Sequence, residues 1–147
     1  MLEIGAGCGV THIVWQRQFF IDGWGVEPEG EGFESSGGIA RALIAANGLD
    51  PSRILDATGE ALPFPDNSLD LLVLPHTLEM SFDPHATLRE VERVLVPEGR
   101  VLFFGFNPTS LWGLGHMVGR RLPEVTDFIG HWRLRDWLRL LGFEVTH

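Results

Sequence analysis

Apolar positions along the chain switch repeatedly between two periods, and that switching predicts the architecture. Leu2 to Ile4 reads as the end of an apolar strand that runs directly into Gly5-Ala6-Gly7-Cys8-Gly9. Beyond the glycines, Thr11 to Phe20 carries Ile13, Val14 and Phe20 at roughly helical intervals, and the stem of Arg17 can lie along the same face. Gly23 to Glu27 forms a second short strand in which Trp24 and Val26 alternate with glycines, and Pro28 keeps Glu27 out of helical geometry. Ser36 to Asn47 is the next helix, with Ile39, Leu43 and Ala46 on one face and Asn47-Gly48 as its stop. Arg53 to Leu55 is short enough for a buried third strand. A turn-rich stretch from Pro63 to Asn67 then leads to Leu71 to Leu74, the strongest buried strand, whose apolar character on both faces argues for a central place in a parallel sheet.

From Pro84 to Leu95, Leu88, Val91, Val94 and Leu95 repeat every three to four residues, while Arg89, Glu90, Glu92 and Arg93 occupy the wet side of an amphipathic crossover helix. Pro97-Glu98-Gly99 breaks it, and Val101 to Phe104 is another strand. Trp132 to Leu141 is the last clear helix, with Trp137, Leu138 and Leu141 facing inward; Gly142 ends it and Phe143 to His147 begins a further strand. Alternation of this kind predicts right-handed βαβ units, an α/β fold with a mainly parallel central sheet covered on both faces. The incomplete last strand leaves backbone groups unmatched, which points to a fragment or to a partner covering that edge, self-association through the exposed sheet edge included.

Composition narrows the function classes. The chain has 147 residues, 44% of them apolar, enough for one domain with a sizeable core. Its formal charge of -9 gives an average field that repels polyphosphate, so nucleic acid is a poor partner and a small molecule a better one. No apolar run is long enough for a spanning helix and no basic stretch precedes an apolar one at the N-terminus, so stable membrane insertion is not expected and a cytoplasmic location is. The single cysteine, Cys8, excludes an internal disulfide, and six scattered histidines give no zinc spacing, so no metal is expected. Cys8 reads either as a reactive thiol or as a small side chain chosen for fit.

The glycine loop carries the chemistry. Gly5, Gly7 and Gly9 let the backbone turn tightly and lie against a ligand where a Cβ would collide. A dinucleotide loop starting at Gly5 would need a third glycine at position 10, where the chain has Val10. Glu27, 22 residues beyond Gly5 at the end of the second strand, reads as the acceptor of both hydrogen bonds of a ribose diol or as a solvated glutamate before a proline turn. Glu3 has three readings: contact with a cationic ligand tail, orientation of the loop amides, or a carboxylate marking the strand end.

These pieces together resemble the class I S-adenosylmethionine-dependent methyltransferases, and within them the small-molecule branch that includes quinone and sterol methylating enzymes. The resemblance rests on Leu2 to Gly9, on the acid of Gly25-Val26-Glu27-Pro28, on Gly59 to Asp70 and on Leu88 to Gly99, four segments in order over most of the chain. Pro75 to His85 and the Gly105-Phe106-Asn107-Pro108 segment with Ser110 to Leu114 are similar to uncharacterised bacterial methyltransferase-domain proteins. The resemblance implies a Rossmann-like three-layer αβα sandwich and S-adenosylmethionine as cofactor. It also implies truncation at both ends, with residues 1–147 as one cofactor-binding domain lacking the family's N-terminal helix and C-terminal hairpin.

Carried over by residue, the family assigns Glu3, Gly5, Ala6, Gly7, Cys8 and Gly9 to the methionine side of the cofactor and Glu27 with Pro28 to the ribose. Thr58, Gly59, Glu60 and Ala61 would border the adenine. Thr58 stands where the family usually has an aspartate, with Asp56 or backbone carbonyls as substitutes. Leu74 would end the strand beside the transferred methyl. His76 follows it, either as general base or as a residue that orients a loop, and Glu79 would bind a substrate cation, orient His76 or cap a turn. Asn107 and Trp112, after the fifth strand, would shape an apolar acceptor pocket or belong to a lid core.

The expected function is methyl transfer to a small, partly apolar acceptor. Alternatives are a cofactor-binding or interaction domain without turnover and, less favoured because of Val10 and the Gly59 to Asp70 segment, nicotinamide-dependent oxidoreduction.

Overall fold

The computed structural model describes residues 1–29, 36–105 and 129–145. Among them, strands β1 (Leu2–Ile4), β2 (Trp24–Val26), β3 (Ile54–Leu55), β4 (Leu69–Pro75) and β5 (Leu95–Phe104) form one sheet in the order β3-β2-β1-β4-β5, every pair parallel. The helices are α1 (Val10–Gln18), α2 (Ser36–Ala46), α3 (Thr77–Met80), α4 (Pro84–Val94) and α5 (His131–Leu140). The α/β fold and parallel sheet are as the periodicity predicts.

Side-chain alternation in β1 divides the interior. Leu2 and Ile4 join one core with Leu72 and Leu74 of β4, Leu88, Val91 and Val94 of α4, and Leu138 of α5. Glu3, between them, points to the opposite face. There Ala6, Ala40, Ile44 and Ile54 form a smaller core with Ile13 of α1 packed against it. Helices on both faces of a parallel sheet make the three-layer αβα sandwich. Strand order reverses at β1, so the loops leaving β1 and β4 face each other across a topological switch point, the crevice where sheets of this kind take ligands.

Several local expectations change. The apolar face of α2 buries Ala40 and Ile44, while Ile39 is 56% exposed, because the helix is turned to set Ala40 and Ile44 against Gly9. Phe20 lies beyond α1 with φ 54° and is exposed rather than part of a helical face. Residues 143–145 form no strand, although Phe143 and Val145 pack on the core. Pro97-Glu98-Gly99 does not precede β5 but interrupts it. The register jumps from Leu69↔Leu95 to Leu71↔Arg100, and Glu98 takes φ 67° within the bulge.

The polar side of α4 is not simply solvated. Arg93 donates to both Glu90 oxygens at 2.8 and 2.7 Å, to Asp66 at 2.7 Å, and to the carbonyls of Phe64 and Leu62 at 2.9 and 3.1 Å. Glu90 in turn accepts the Leu62 N–H at 2.8 Å. The Leu62 to Asp66 segment is thereby laid over α4. Hydrogen bonds from Arg93 hold the Glu90 carboxyl below its ordinary value, against a smaller opposing effect of burial.

Candidate cofactor site

The loop after β1 is shaped by its glycines. Gly5, Gly7 and Gly9 have φ of 78°, 54° and 80°, the left-handed region that side chains disfavour. The N–H groups of Gly5 and Ala6 both donate to the Val26 carbonyl at 3.0 Å, pinning the loop to the end of β2. Glu27, the next residue there, accepts the Gly7 N–H at 2.8 Å. On the other side the Thr77 hydroxyl, at the start of α3, donates to the Ile4 carbonyl. Both neighbours of β1 thus hold the loop.

The three glycines differ in what surrounds them. A Cβ on Gly7 would meet nothing within 4 Å, so this position faces open space where a ligand can lie against the backbone. A Cβ on Gly9 would come within 3.2 Å of the Ala40 Cβ and 3.3 Å of its Cα, so Gly9 admits α2 to the loop. Gly5 has the Thr77 hydroxyl 3.2 Å from its would-be Cβ. Ala6 is buried in the smaller core, whereas Cys8 is exposed at the loop tip.

Beneath the loop lies a buried polar pair. Glu3 and His12 are both without solvent exposure, and His12 Nδ1 stands 3.6 Å from Glu3 Oε2. That is ion-pair range but longer than a hydrogen bond, and neither Glu3 oxygen has a hydrogen-bond partner. Burial pushes the Glu3 carboxyl above its ordinary value; His12 opposes the shift and the charge of Glu27 adds to it.

On the β3 and β4 sides the assigned residues divide between ligand-facing and structural positions. Thr58 and Ala61 are exposed. Gly59 is packed, its would-be Cβ 3.0 Å from Thr87 and 3.1 Å from Ile4. Burial alone would raise the Glu60 carboxyl, but hydrogen bonds from Ser81 at 2.5 Å, the Asp83 N–H at 3.4 Å and Thr58 outweigh it and hold the group below its ordinary value. Glu60 is therefore turned toward the α3–α4 connection. Asp56 accepts the Glu29 N–H at 2.9 Å, joining the ends of β2 and β3 near the exposed Pro28. Leu74 directs its side chain into the main core.

His76 follows β4 with φ 57°, its N–H donating to the Phe104 carbonyl at 2.8 Å. Glu79 is buried on α3, and a Cβ on Gly105 would come within 2.7 Å of its Oε1. A cavity of about 30 Å³ beside Glu79 is lined by Leu74, Leu78, Phe103 and Ile129 among others. Asn107 and Trp112 lie outside the described residues. Among those described, no group of acidic, histidine or cysteine side chains could hold a metal, and no helix is long and apolar enough to cross a membrane. A groove of about 830 Å³ runs between β5 and α5, away from the glycine loop.

Sequence reasoning passed over His12 and Thr77. Thr77 gave no signal, since its role depends on β4 lying beside β1. His12 had a faint one: a polar residue early in α1, opposite the only polar residue of β1.

Residues 2–103 match the methyltransferase domain family, and the chain belongs to it. Among relatives, Escherichia coli YafS, called an uncharacterized protein, is 44% identical over 89 residues, 58% of this chain and 37% of its own. Bacillus subtilis YcgJ, called an uncharacterized methyltransferase, is 32% identical over 92% of this chain and 48% of its own. The ubiquinone/menaquinone biosynthesis C-methyltransferase UbiE of Hahella chejuensis is 44% identical over 42% of this chain and 25% of its own. A Thermotoga maritima structure described as a SAM-dependent methyltransferase, possible histamine N-methyltransferase, superposes with a TM-score of 0.73 at 28% identity, covering 98% of this chain and 63% of that one. The chain thus spans about half or less of the length of these curated relatives. Membership brings S-adenosylmethionine as the cofactor, and the residues present fit it: an open cradle at Gly7 and a Glu3 carboxyl buried beneath the loop with no hydrogen-bond partner suit a cationic nucleoside.

Proposed function

We propose that the chain binds S-adenosylmethionine in the crevice between the β1 and β4 loops and transfers its methyl group to a small, partly apolar acceptor. The observation that carries this reading is the union of loop and acid: Glu27, 7% exposed, grips the Gly7 amide beside the open face of the loop. A carboxylate has acceptor capacity for more than one donor, so the same group can take ribose hydroxyls while still bracing the loop. The cofactor supplies an electrophilic methyl on a sulfonium with a good leaving group. The protein's part is to orient the acceptor in line and exclude water.

In this reading Pro28 borders the ribose, and Thr58 and Ala61 lie at the adenine side. His76 is the proton acceptor for an acceptor hydroxyl or acidic carbon, with Glu79, Asn107 and Trp112 shaping the acceptor site. The quinone-directed name of UbiE supports an apolar acceptor. A charge of -9 supports a small molecule over nucleic acid, and the absence of a spanning helix among the described residues supports a cytoplasmic location. Among the described residues β5 pairs only with β4, which supports self-association along that edge.

Calorimetry with S-adenosylmethionine, S-adenosylhomocysteine and reduced nicotinamide dinucleotide on one preparation tests the cofactor; preference for the dinucleotide would reverse the reading. Labelled methyl transfer to a panel of quinols and hydroxylated aromatics tests turnover. Binding without transfer to any of them would favour the non-catalytic alternative. Replacing His76 with alanine is expected to abolish transfer while leaving cofactor affinity unchanged.

A further inference from the structure

We infer that His12 is a positioning residue: from beneath the glycine loop it sets the ionisation and orientation of Glu3, and so the charge that a cationic nucleoside meets on entering. This rests on the cofactor reading above. The geometry is built from both neighbours of the pair. Gln16, one turn along α1, places its amide nitrogen 2.9 Å from His12 Nε2. That contact engages Nε2 and leaves Nδ1 as the ring atom directed at Glu3 Oε2. On the β2 side the register partner of Glu3 is Gly25, whose would-be Cβ lies 3.7 Å from His12 Nδ1 and 2.6 Å from Ile54. The bare backbone is needed for the packing of Ile54 and Ala6, and the imidazole lies beside it at ordinary contact distance.

The surroundings of Glu3 are otherwise apolar. Its register partner on β4 is Val73, and α2 presents Ala40 and Ile44 on this face. His12 and Glu27 are the titratable groups that act on it. A carboxyl so placed favours its neutral form, and its one stabilising neighbour as an anion is His12. A ligand carrying an ammonium and a sulfonium adds positive charge above the loop. Binding should then ionise Glu3, the proton passing to the buffer, and His12 should decide at what pH this occurs.

The Glu3 titration is followed by carboxyl carbon NMR in the ligand-free chain, and the S-adenosylmethionine affinity by calorimetry across pH in buffers of differing ionisation enthalpy. In the wild type, affinity should rise with pH and binding should release protons. His12→Leu should raise the Glu3 midpoint by about one pH unit and weaken binding roughly tenfold below it. His12→Asn, which keeps a donor near the Nδ1 position, should restore much of both, and Glu3→Gln should flatten the pH profile. Native-like amide spectra establish that each variant is folded; if His12→Leu is not, His12→Met, which likewise carries no ring donor, takes its place. Coincident Glu3 midpoints in the wild type and the folded apolar His12 variant would overturn the assignment, as would a moved midpoint with an unmoved affinity profile. Failure of the cofactor reading looks different: the wild type itself would bind no S-adenosylmethionine at any pH.

Discussion

Gly7 and Glu27, 20 residues apart in sequence, are joined by one hydrogen bond of 2.8 Å that makes the loop after β1 and the end of β2 a single surface. The carboxylate is nearly buried, so its acceptor strength is little diluted by water.

Loss of that carboxylate should be felt in binding. Glu27→Ala is expected to lower S-adenosylmethionine affinity by roughly 1.5–3 kcal/mol, the range for hydrogen bonds to charged groups. Glu27→Gln, which retains a carbonyl acceptor for the Gly7 amide, should lose less. Calorimetry at neutral pH checks both, and equal affinity across the three proteins would remove Glu27 from the site.

Two glycines of the same loop should respond oppositely to alanine. Gly7→Ala meets no protein atom, so it should destabilise the fold by only about 1 kcal/mol while sharply reducing cofactor affinity. Gly9→Ala combines a left-handed backbone with crowding against Ala40 and should cost about 2–4 kcal/mol of stability. Urea unfolding of the two variants ranks them; the reverse order would contradict the packing described for α2.

The link from Thr77 to Ile4 joins β4 to β1 at the crevice. Thr77→Val removes the hydroxyl and leaves the Ile4 carbonyl without that donor, so a loss of about 1–3 kcal/mol is expected. Thr77→Ser should retain most of it. A valine variant as stable as the wild type in chemical denaturation would show that the contact contributes nothing.

Arg93 and Glu90 should make stability depend on acid. The Glu90 carboxyl titrates below its ordinary 4.5 in the folded chain, so its contribution is complete above that pH and is lost as pH falls through the folded value. Arg93→Met should lower stability by about 1.5–3 kcal/mol at pH 7 and weaken that acid dependence, measured as the change in Tm between pH 6 and pH 3. An unchanged pH profile would assign the stabilisation to packing of the Arg93 stem instead.

Most of the fold was legible in the chain because its signals are local. A glycine-flanked strand end marks β1 and a period of three to four residues marks α4 without reference to anything distant, and a continuous apolar run such as Leu71 to Leu74 has few solutions other than a covered strand. The bulge in β5 and the rotation of α2 were not legible. Each depends on what packs opposite: the Leu71↔Arg100 register in one case, and Gly9 against Ala40 in the other.

The candidate site divides along the same line. Glycine spacing and an acid after the second strand are properties of sequence, since backbone freedom and carboxylate chemistry belong to single residues. The order β3-β2-β1-β4-β5, the Thr77 bond to Ile4 and the burial of His12 against Glu3 arise only when distant segments meet. A residue's type can be read one position at a time, but its partner, its solvent exposure and hence its protonation are set by the neighbours that the folded sheet supplies.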